Sequence, residues 1–365
     1  MSKLLVAILF GGRSGEHEVS RNSAYSVAKA LNNTYSLFPI GISKEGEWYG
    51  PISLEEIKSF TPERYLDQKI TILPNPASGG KIYSLPDLKL LTEANVFFPV
   101  LHGTFGEDGT IQGLLDLANI PYVGSGVLAS AAGMDKVTMK RIFAQTGIPQ
   151  VEFLAYLRQE IETDPERVEG QITAKLGYPC FVKPANMGSS VGISKVNHAE
   201  GLQRALQIAA RYDRKVIVEK GVNTRELEVS VLGNDDPQVS IPGEIVPCNE
   251  FYDYKAKYID DRSTLIIPAE ITPEQASTIQ SLASKAYLAL GCSGLSRIDF
   301  FLTKDTKEIL INEINTMPGF TSISMYPKLW EHSGMNITDL VVRLVELALE
   351  RHSEIEKNTF TYDLE

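Results

Sequence analysis

Cysteine, long apolar runs and positive charge are all scarce in this sequence, and each scarcity excludes a class of protein. The three cysteines, Cys180, Cys248 and Cys292, are widely spaced and include no CxxC pair. We therefore expect neither a disulfide framework nor a zinc site, and a reducing compartment fits. The first apolar run, KLLVAILF, is short and leads into a glycine turn with no small-residue cleavage site. These features predict a cytoplasmic protein without a signal peptide or membrane span.

Negative charge outweighs positive charge: 46 Asp and Glu stand against 35 Lys and Arg, for a formal net charge of -11. Nucleic acids bind proteins through clustered Lys and Arg, so nucleic acid is disfavoured as the main partner. A small anionic ligand needs only a few local cations. With 43% apolar and 22% charged residues, the composition is typical of a globular protein. A length of 365 residues predicts two or three domains.

The first third of the chain alternates predicted strands with predicted helices. The strands are KLLVAILF, YSLFPIGIS and ANVFFPVLHG; an amphipathic helix from Glu16 to Leu31 follows the first, and TIQGLLDLAN follows the third. This alternation predicts an α/β fold with a mostly parallel sheet. Ligands of such sheets bind at the carboxyl ends of the strands, where GGRSGEHEVS (11–20) and HGTFGEDGT (102–110) fall.

The pattern changes after GSGVLASAAGMDK, and two further domains are expected. A helix that ends at TGIP precedes the strands YPCFVKPA and SSVGISKV, a second helix and the strand KVIVEKGV. These elements predict a small second domain of strands covered by helices. The last third carries RELEVSVLG, a helix from Pro273 to Leu290, a β-hairpin and a final helix. We place the three domains at residues 1–127, 128–222 and 223–365.

The predicted hairpin, SRIDFFLT and EILINEIN, carries the clearest chemistry. Arg297 and Asp299 alternate with apolar residues and so share one face of their strand, and Glu313 and Asn315 share a face of the partner strand. Two acids and an amide on one face, beside an arginine, would form an oxygen-only site for a hard cation such as Mg²⁺. The alternative is a solvated sheet face with a cross-strand ion pair. That alternative leaves the irregular glycine loop TMPGFTS after Asn315 unexplained.

Whether the two polar faces coincide depends on the register of the hairpin. A three-residue loop over 305–307 pairs Thr303 with Ile309. That register sets Asp299 opposite Glu313 and Arg297 opposite Asn315. A loop one residue longer or shorter would separate the pairs.

The glycine-serine turn in FVKPANMGSSVG is a candidate phosphate site. Lys183 alternates with apolar residues before it, and the backbone N–H groups and hydroxyls of the turn can cover phosphate oxygens, with the lysine as a point charge. An ordinary hairpin turn whose lysine reaches solvent explains the same pattern. Lys136, in MDK, would by itself be a surface helix residue.

Three other stretches carry candidate residues with ordinary alternatives. KVIVEKGV ends in Glu219 and Lys220, with Glu226 beyond; such a strand end could hold an adenine edge and a ribose, or carry only a charge pair. His102 in HGTFGEDGT is either a substrate contact or a satisfied loop histidine. FYDYKAKY (251–258), which ends in Lys257 and Tyr258, is either a lid or an aromatic packing element.

The glycine turn of residues 11–20 raises a rival function, that of a nicotinamide-dependent dehydrogenase. Such an enzyme needs G-x-G-x-x-G after the first strand and an acid at the end of the second. Here the third glycine is missing, Glu16 and Glu18 stand at the helix start, and the second strand ends without an acid. A non-catalytic amino-acid-binding module is the other rival, and it would leave the polar hairpin face unused.

Eight of these stretches occur in an order that closely resembles the D-alanine–D-alanine ligases of bacterial cell-wall synthesis, members of the ATP-grasp superfamily. They are GGRSGEHEVS, HGTFGEDGT, GSGVLASAAGMDK, VKPANMGSSVG, EKG, FYDYKAKY, GLSRIDF and NEINTMPGFTSIS, and the resemblance runs from about Lys3 to Leu347. It implies a three-domain ATP-grasp fold: a Rossmann-like parallel-sheet domain, then small central and C-terminal ATP-grasp domains. It also implies a homodimer that joins two D-alanines through an acyl phosphate, for peptidoglycan precursors, releasing ADP and phosphate.

The resemblance implies a role for each matching residue on the metal and substrate side. Asp299, Glu313 and Asn315 would hold two Mg²⁺ ions, with Mn²⁺ as an alternative ion. Arg297 would stabilise the transferred phosphoryl group and, with the Gly319 N–H, the oxyanion. The second D-alanine carboxylate would bind Ser324, and the first D-alanine would lie near His102.

On the nucleotide side, the resemblance assigns residues to the phosphates, the adenine and the ribose. The phosphate contacts would be Lys136, Lys183 and Lys257. Glu219 and the backbone of Lys220 and Val222 would hold adenine, and Glu226 the ribose.

A hydrogen-bonded group of Glu16, Ser189 and Tyr258 is the last feature that the resemblance implies, and it would seal the site from water. Relatives that make the D-alanine–D-lactate ester commonly have Phe in place of this tyrosine, so Tyr258 favours the dipeptide; D-lactate or D-serine as the second substrate remains the alternative. Two departures, Met187 in place of a charged residue and Ile314 in place of Ala, bear on fine geometry.

Overall fold

The computed structural model describes residues 3–246 and 264–361. Ten α-helices, five short 3-10 helices and seventeen strands are defined in these ranges. The strands are β1 (Leu5–Gly11), β2 (Ser36–Ile42), β3 (Trp48–Tyr49), β4 (Ile70–Thr71), β5 (Lys81–Ser84), β6 (Leu90–Glu93), β7 (Val96–Pro99), β8 (Phe153–Leu157), β9 (Cys180–Pro184), β10 (Ser194–Val196), β11 (Lys215–Lys220), β12 (Thr224–Gly233), β13 (Gln238–Val239), β14 (Gly243–Val246), β15 (Thr264–Ile266), β16 (Gly294–Thr303) and β17 (Ile309–Asn315). The helices are α1 (His17–Leu31), α2 (Thr110–Leu117), α3 (Val127–Met134), α4 (Lys136–Gln145), α5 (Arg158–Thr163), α6 (Pro165–Lys175), α7 (Leu202–Tyr212), α8 (Pro273–Leu290), α9 (Met325–His332) and α10 (Ile337–Ile355).

The amino-terminal sheet has the strand order β3-β2-β1-β7, with β1 parallel to both β2 and β7 and β3 antiparallel at one edge. Alternate residues of β1 enter two different cores. Val6, Ile8 and Phe10 pack with α1 and α10, whereas Ala7 and Leu9 pack with α2 and the strands β4 and β5. A strand buried on both faces needs a continuous apolar run. The predicted parallel sheet is confirmed.

The two glycine-rich loops, 11–20 and 102–110, lie at the carboxyl ends of the neighbouring strands β1 and β7, as predicted. Gly11 has φ +91, and a Cβ there would lie 2.3 Å from the Ile42 carbonyl oxygen. Glycine is required at this position because the turn passes directly against β2. The turn thereby brings Glu16 and the start of α1 to the edge where ligands of parallel sheets bind.

A second, antiparallel sheet has the order β10-β9-β11-β8. Its inner face packs against α6 and α7 in a core that includes Val182, Val218, Ile172 and Leu206. The predicted strand SSVGISKV is only partly confirmed, because β10 begins at Ser194. The preceding serines, Ser189 and Ser190, have φ values of 51 and 59, and left-handed residues cannot continue a strand.

The third sheet has the order β15-β14-β12-β16-β17, and β13 pairs with β12. Helix α8 covers one face, in a core that includes Val229, Ile298, Ile311 and Tyr287. The helix begins at Pro273 and ends at Leu290, as predicted. Thr272 caps its start by accepting from the Gln275 N–H, and Gly291, at φ +69, ends it.

The predicted alignment across the β16–β17 hairpin is confirmed, but the predicted route to it is wrong. Asp299 lies opposite Glu313, whereas Ile309 pairs with Leu302, and the register shifts between Asp299 and Phe300. The loop is therefore one residue longer than expected. A β-bulge at Asn312 takes up the extra residue and restores the alignment of the polar side chains.

Packing joins the parts of the chain that lie around the three larger sheets. Helix α10 packs on the amino-terminal sheet through Leu340, Leu344 and Leu347, and α3 and α4 contribute to the core beneath β12, β16 and β17. The division into domains at residues 127 and 222 stays a prediction. Across the described ranges, no helix combines the length and apolar character that crossing a membrane requires.

Candidate active site

A cavity of about 440 Å³ lies where the loops of the amino-terminal sheet meet the third sheet and the glycine-serine turn. Its walls include side chains from α1, the β7–α2 loop, α4, β16, β17 and α9. The sequence-predicted residues that line it are Glu16, His102, Lys136, Ser189, Arg297, Glu313, Asn315, Gly319 and Ser324. Residues from six of the recognised motifs, distant along the chain, are thus brought to one place.

Three carboxylates form a row across the third sheet. Glu228 on β12 lies opposite Asp299 on β16, which lies opposite Glu313 on β17. Directly opposed residues share one sheet face. The neighbouring row contains Arg297 and Asn315. The predicted polar face therefore exists, and it carries one acid more than predicted.

Arg297 is held by two of these acids. Its Nε and Nη2 donate to the two Asp299 carboxylate oxygens, each over 2.7 Å, and Glu228 Oε2 lies 3.0 Å from the same Nε. Burial lowers the pKa of Arg297, but Asp299 and Glu228 outweigh burial and raise the pKa well above its ordinary value. The guanidinium remains charged inside the cavity wall.

The donor set of this face fits a hard cation. Asp299, Glu313 and Asn315 offer only oxygen ligands, of the type that Mg²⁺ prefers. Asn315 Oδ1 accepts from the Met317 N–H at 3.1 Å, so its oxygen is held in orientation and keeps a second lone pair. Within residues 3–246 and 264–361, no three His, Cys, Asp or Glu side chains are arranged as a metal cluster. A cation at this face would therefore need the Asn315 amide oxygen and further oxygens from a molecule bound in the cavity.

Lys136 is a buried cavity residue, not a surface one. Asp135 caps α4 by accepting from the Thr138 N–H at 2.9 Å, and this places Lys136 at the first position of the helix. The Lys136 ammonium donates to the Met187 carbonyl over 2.9 Å and lies 3.6 Å from Glu313 Oε2. It therefore links the glycine-serine turn to the acidic face.

Lys183 and Glu219 belong to a buried charge cluster that the sequence only half revealed. Lys183 Nζ lies 2.6 Å from Glu219 Oε2, and Lys140 Nζ lies 3.1 Å from Glu219 Oε1. Lys140 is fully buried and was missed. The signal was present: Lys140 follows Lys136 by four residues, on the helix face that also carries Val137 and the apolar core.

At the Glu219 carboxylate, the two neighbouring lysines affect the pKa more than burial does. Burial raises the pKa of Glu219, but Lys140 and Lys183 together lower it to about 2. Burial lowers the pKa of Lys140. It also acts to lower the pKa of Lys183, which Glu219 and Glu313 nevertheless raise. With both lysines protonated, the cluster holds one net positive charge, which suits an anionic ligand.

Glu16 joins the amino-terminal turn to the glycine-serine turn. The Ser189 hydroxyl donates to Glu16 Oε1. A Cβ at Gly103 would lie 2.8 Å from Glu16 Oε2, and one at Gly188 would lie 2.9 Å from it. Two glycines therefore make room for this carboxylate, and its hydrogen bond to Ser189 agrees with the predicted network. The third predicted member, Tyr258, lies outside the described residues, as does Lys257.

His102 is buried, and both of its ring nitrogens have partners. Nδ1 lies 3.0 Å from the Met317 carbonyl oxygen, and Nε2 lies 3.0 Å from the Ser23 hydroxyl. A carbonyl only accepts, so Nδ1 carries the hydrogen and Ser23 donates to Nε2. Burial lowers the pKa of His102 more than Glu16 raises it, which favours this neutral form. His102 lines the cavity with its ring, while its nitrogens hold protein groups.

Gly319 and Ser324 lie together in the loop between β17 and α9. A Cβ at Gly319 would be 2.8 Å from Ser324 Oγ. Ser324 Oγ accepts from the Thr321 N–H at 3.0 Å and lies 2.8 Å from the Thr321 hydroxyl oxygen. When Thr321 supplies the hydrogen of that contact, the Ser324 hydroxyl can donate to a ligand.

The remaining predicted residues in the described ranges lie at the end of β11, in the connection that follows it and on β12. Lys220 is the last residue of β11, its N–H donates to the Glu152 carbonyl at 2.9 Å, and its side chain is exposed. Val222 follows in the connection to β12. Glu226, on β12, lies opposite Phe301.

Comparisons with known proteins give consistent results over nearly the whole chain. A family model described as D-ala D-ala ligase N-terminus matches residues 5–125, and one described as D-ala D-ala ligase C-terminus matches residues 142–346. A D-alanine--D-alanine ligase of Heliobacterium modesticaldum is 52% identical over 360 residues, which are 98% of each chain.

Solved structures agree with the sequence comparisons. The D-alanine-D-alanine ligase from Coxiella burnetii superimposes with a TM-score of 0.85 at 35% identity, over 98% of this chain and 97% of the other. The VanG D-Ala:D-Ser ligase from Enterococcus faecalis gives a TM-score of 0.86 at 37% identity, over 95% of this chain and 100% of the other.

Proposed function

This chain belongs to the D-alanine–D-alanine ligase family, with its ATP-grasp fold, and on that basis we propose that it joins two D-alanines at the expense of ATP. The observation that carries the proposal is the alignment of Asp299 with Glu313 and of Arg297 with Asn315. This face stands in the same cavity as Glu16, at the end of the parallel sheet. The products are D-alanyl-D-alanine for peptidoglycan precursors, ADP and phosphate. The dehydrogenase alternative receives no support from these relatives.

In the first step, a carboxylate oxygen of one D-alanine attacks the γ-phosphorus of ATP. ADP leaves, and an acyl phosphate forms. Both reactants are anions, so their approach requires nearby positive charge. Arg297, Lys136 and Lys183 supply it: Arg297 from the acidic face, Lys136 from the start of α4 and Lys183 from the buried cluster. Lys257 is assigned to the same phosphates.

In the second step, the amine of the other D-alanine attacks the acyl carbon. The amine loses a proton, and the carbon–oxygen bond to phosphate breaks. One carboxylate oxygen of the first D-alanine therefore leaves with the phosphate. The tetrahedral intermediate carries a negative oxygen, for which Arg297 and the Gly319 N–H are the assigned donors.

The polar face of β16 and β17 would hold the metal ions that the reaction needs. Asp299, Glu313 and Asn315 would hold two Mg²⁺ ions, with Mn²⁺ as the alternative, and phosphate oxygens and water would complete the ligand sets. The metal supplies charge neutralisation at the transferring phosphoryl group. The protein's part is to keep these three side chains on one face, which the bulge of β17 achieves.

The remaining assigned residues would bind the two D-alanines and the nucleotide. Glu16 suits the ammonium group of the first D-alanine, which lies near His102, and Ser324 suits the carboxylate of the second. Glu219 and the backbone of Lys220 and Val222 are assigned to adenine, and Glu226 to the ribose. The group formed by Glu16, Ser189 and Tyr258 would exclude water, which would otherwise hydrolyse the acyl phosphate.

D-Alanine is the proposed second substrate because the sequence keeps Tyr258 within FYDYKAKY. D-Serine is the alternative second substrate, in view of the similarity to the VanG D-Ala:D-Ser ligase, but the sequence relatives at 50–52% identity, which are named D-alanine--D-alanine ligase, favour D-alanine. The proposal also includes the three domains 1–127, 128–222 and 223–365, a homodimer and a cytoplasmic location, where ATP is supplied.

The test is phosphate release and product identification with ATP, Mg²⁺ and D-alanine, followed by D-alanine, D-serine and D-lactate offered together across a range of pH. D-Alanyl-D-alanine as the main product supports the proposal. If folded protein releases no phosphate on addition of D-alanine, the proposal is wrong. D-Alanyl-D-serine as the main product would favour the alternative substrate.

A further inference from the structure

Three cationic side chains among the described residues line the cavity, and two of them already have carboxylate partners. Arg297 is bound by Asp299, and Lys136 lies 3.6 Å from Glu313. The third is Lys328, on α9. In the part of the chain that the structure describes, its ammonium makes no hydrogen bond or ion pair. Of the described residues, this cavity, which must accept anions, thus has one cation without a carboxylate partner.

Among the residues that the structure describes, the other cavity-lining side chains of the segment around Lys328 are uncharged. The lining residues from 319 to 328 are Gly319, Thr321, Ile323, Ser324, Met325 and Lys328. No acidic residue lies in the first turn of α9. In the described ranges, the acids that line the cavity come from other elements: Glu16, Glu107, Glu228 and Glu313. This end of the cavity therefore favours negative charge, and Lys328 is the source of that preference.

Ser324 and Lys328 are spaced to act on one group. Ser324 is the N-cap of α9, and Lys328 lies four residues later, on the same helix face. Ile245, Leu265 and Met325 form an apolar wall beside them. A hydroxyl, an ammonium and an apolar wall together suit a small molecule with a carboxylate and a short alkyl side chain. The start of a helix also favours a carboxylate over a neutral group.

We propose that Lys328 binds the carboxylate of the second, acceptor amino acid and makes the enzyme select acceptors that carry this carboxylate. The inference rests on the proposed function. The two carboxylates of the reaction differ in fate: that of the first substrate is phosphorylated, whereas that of the second is unchanged in the product. The second carboxylate needs a lasting charge partner away from the acidic metal face, and Lys328 is that partner.

The test is a competition between D-alanine and D-alaninamide as acceptors. D-Alaninamide has no carboxylate to phosphorylate, so it competes only as an acceptor. The ratio of the two products, D-alanyl-D-alanine and D-alanyl-D-alaninamide, does not depend on enzyme concentration or on the first step. Lys328→Met removes the charge at similar length, Lys328→Arg keeps it, and Lys304→Met is a control on the exposed hairpin loop.

We expect Lys328→Met to reduce the preference for the free carboxylate about tenfold, the range of a charged hydrogen bond, while Lys328→Arg and Lys304→Met keep the wild-type ratio. Lys328 is only partly buried on a helix, and Met favours helices, so folding is retained; Lys328→Gln is a second uncharged variant. An unchanged ratio in either uncharged variant overturns the proposal. Failure of the proposed function would instead appear as wild-type protein that makes no dipeptide.

Discussion

His102 Nε2 lies 3.0 Å from Ser23 Oγ, and this contact joins two parts of the chain that meet only in the folded protein. Ser23 Oγ also accepts from the Phe320 N–H at 3.1 Å, and His102 Nδ1 donates to the Met317 carbonyl. Helix α1 and the β7–α2 loop therefore hold the backbone on both sides of Gly319. The position of the proposed oxyanion donor depends on a buried serine that does not line the cavity.

Ser23→Ala should reduce both stability and turnover. It leaves the Phe320 N–H and His102 Nε2 without their partner inside the protein, at a cost of about 1–3 kcal/mol in unfolding free energy. We expect a lower kcat with the KM for ATP unchanged, because the loop that carries Gly319 loosens while the nucleotide residues are untouched. Chemical denaturation and steady-state kinetics measure these effects, with Ser26→Ala on the same helix as the control. Wild-type stability together with wild-type kcat would contradict the positioning role.

Lys140→Met should change how stability depends on pH. The pKa of Glu219 falls from 4.5 to about 2 on folding, so its carboxylate stabilises the folded state above about pH 4.5, and this stabilisation is lost as the pH falls toward about 2. Without Lys140 the pKa of Glu219 is less depressed, so less stability is lost in this range. Chemical denaturation at a series of acidic pH values measures this. The unfolding free energy should fall more steeply with decreasing pH for the wild type than for the variant. Arg141→Met, an exposed neighbour on the same helix, is the control, and parallel acid limbs would show that Lys140 does not act on Glu219.

Glu313→Gln should reduce activity about 100-fold or more while the fold is retained, because it removes one negative charge from the oxygen set that faces the metal. Steady-state rates and thermal unfolding with and without Mg²⁺-nucleotide measure the two effects separately. Glu308→Gln, an exposed residue of the same hairpin, is the matched control. Near-normal turnover in Glu313→Gln would refute the metal assignment.

Glu228→Gln should raise the Mg²⁺ concentration needed for half-maximal activity, by about tenfold. The Nε of Arg297 has a single hydrogen, and Glu228 lies 3.0 Å from that nitrogen while Asp299 accepts the bond. If Asp299 were to ligate a metal, Glu228 would be the carboxylate that can keep Arg297 in place. Magnesium titrations of activity test this, with Glu274→Gln as an exposed control. A magnesium titration curve that superimposes on that of the wild type would show that Glu228 does not contribute to the site.

Much of the fold followed from the sequence because buried strands and helix ends leave strong local signals. The continuous apolar run of β1 and the capped start of α8 at Thr272 are examples. The strand predicted over 189–196 was too long because two serines take left-handed conformations there, which their residue type does not require. The bulge at Asn312 leaves no local signal either, since register is set by both strands together.

The candidate site was predictable where residues belong to one strand or one recognisable motif. Glu228 was missed because its partner, Asp299, lies 71 positions later in the chain and meets it only across the sheet. The alternation of Glu226 and Glu228 on a predicted strand was the available signal. Ser23 gave no signal, because a buried serine in a helix cannot be told from a packing residue until the loop against it is known.

The most direct test of the central claim is to follow an oxygen label from substrate to phosphate. D-Alanine with ¹⁸O in both carboxylate oxygens is incubated with the enzyme, ATP and Mg²⁺, and the released phosphate is analysed by mass. If one D-alanine is activated as an acyl phosphate, each phosphate released with D-alanyl-D-alanine carries one ¹⁸O atom. Phosphate without label would contradict the mechanism, because it would come from attack of water, not of a D-alanine carboxylate, on ATP.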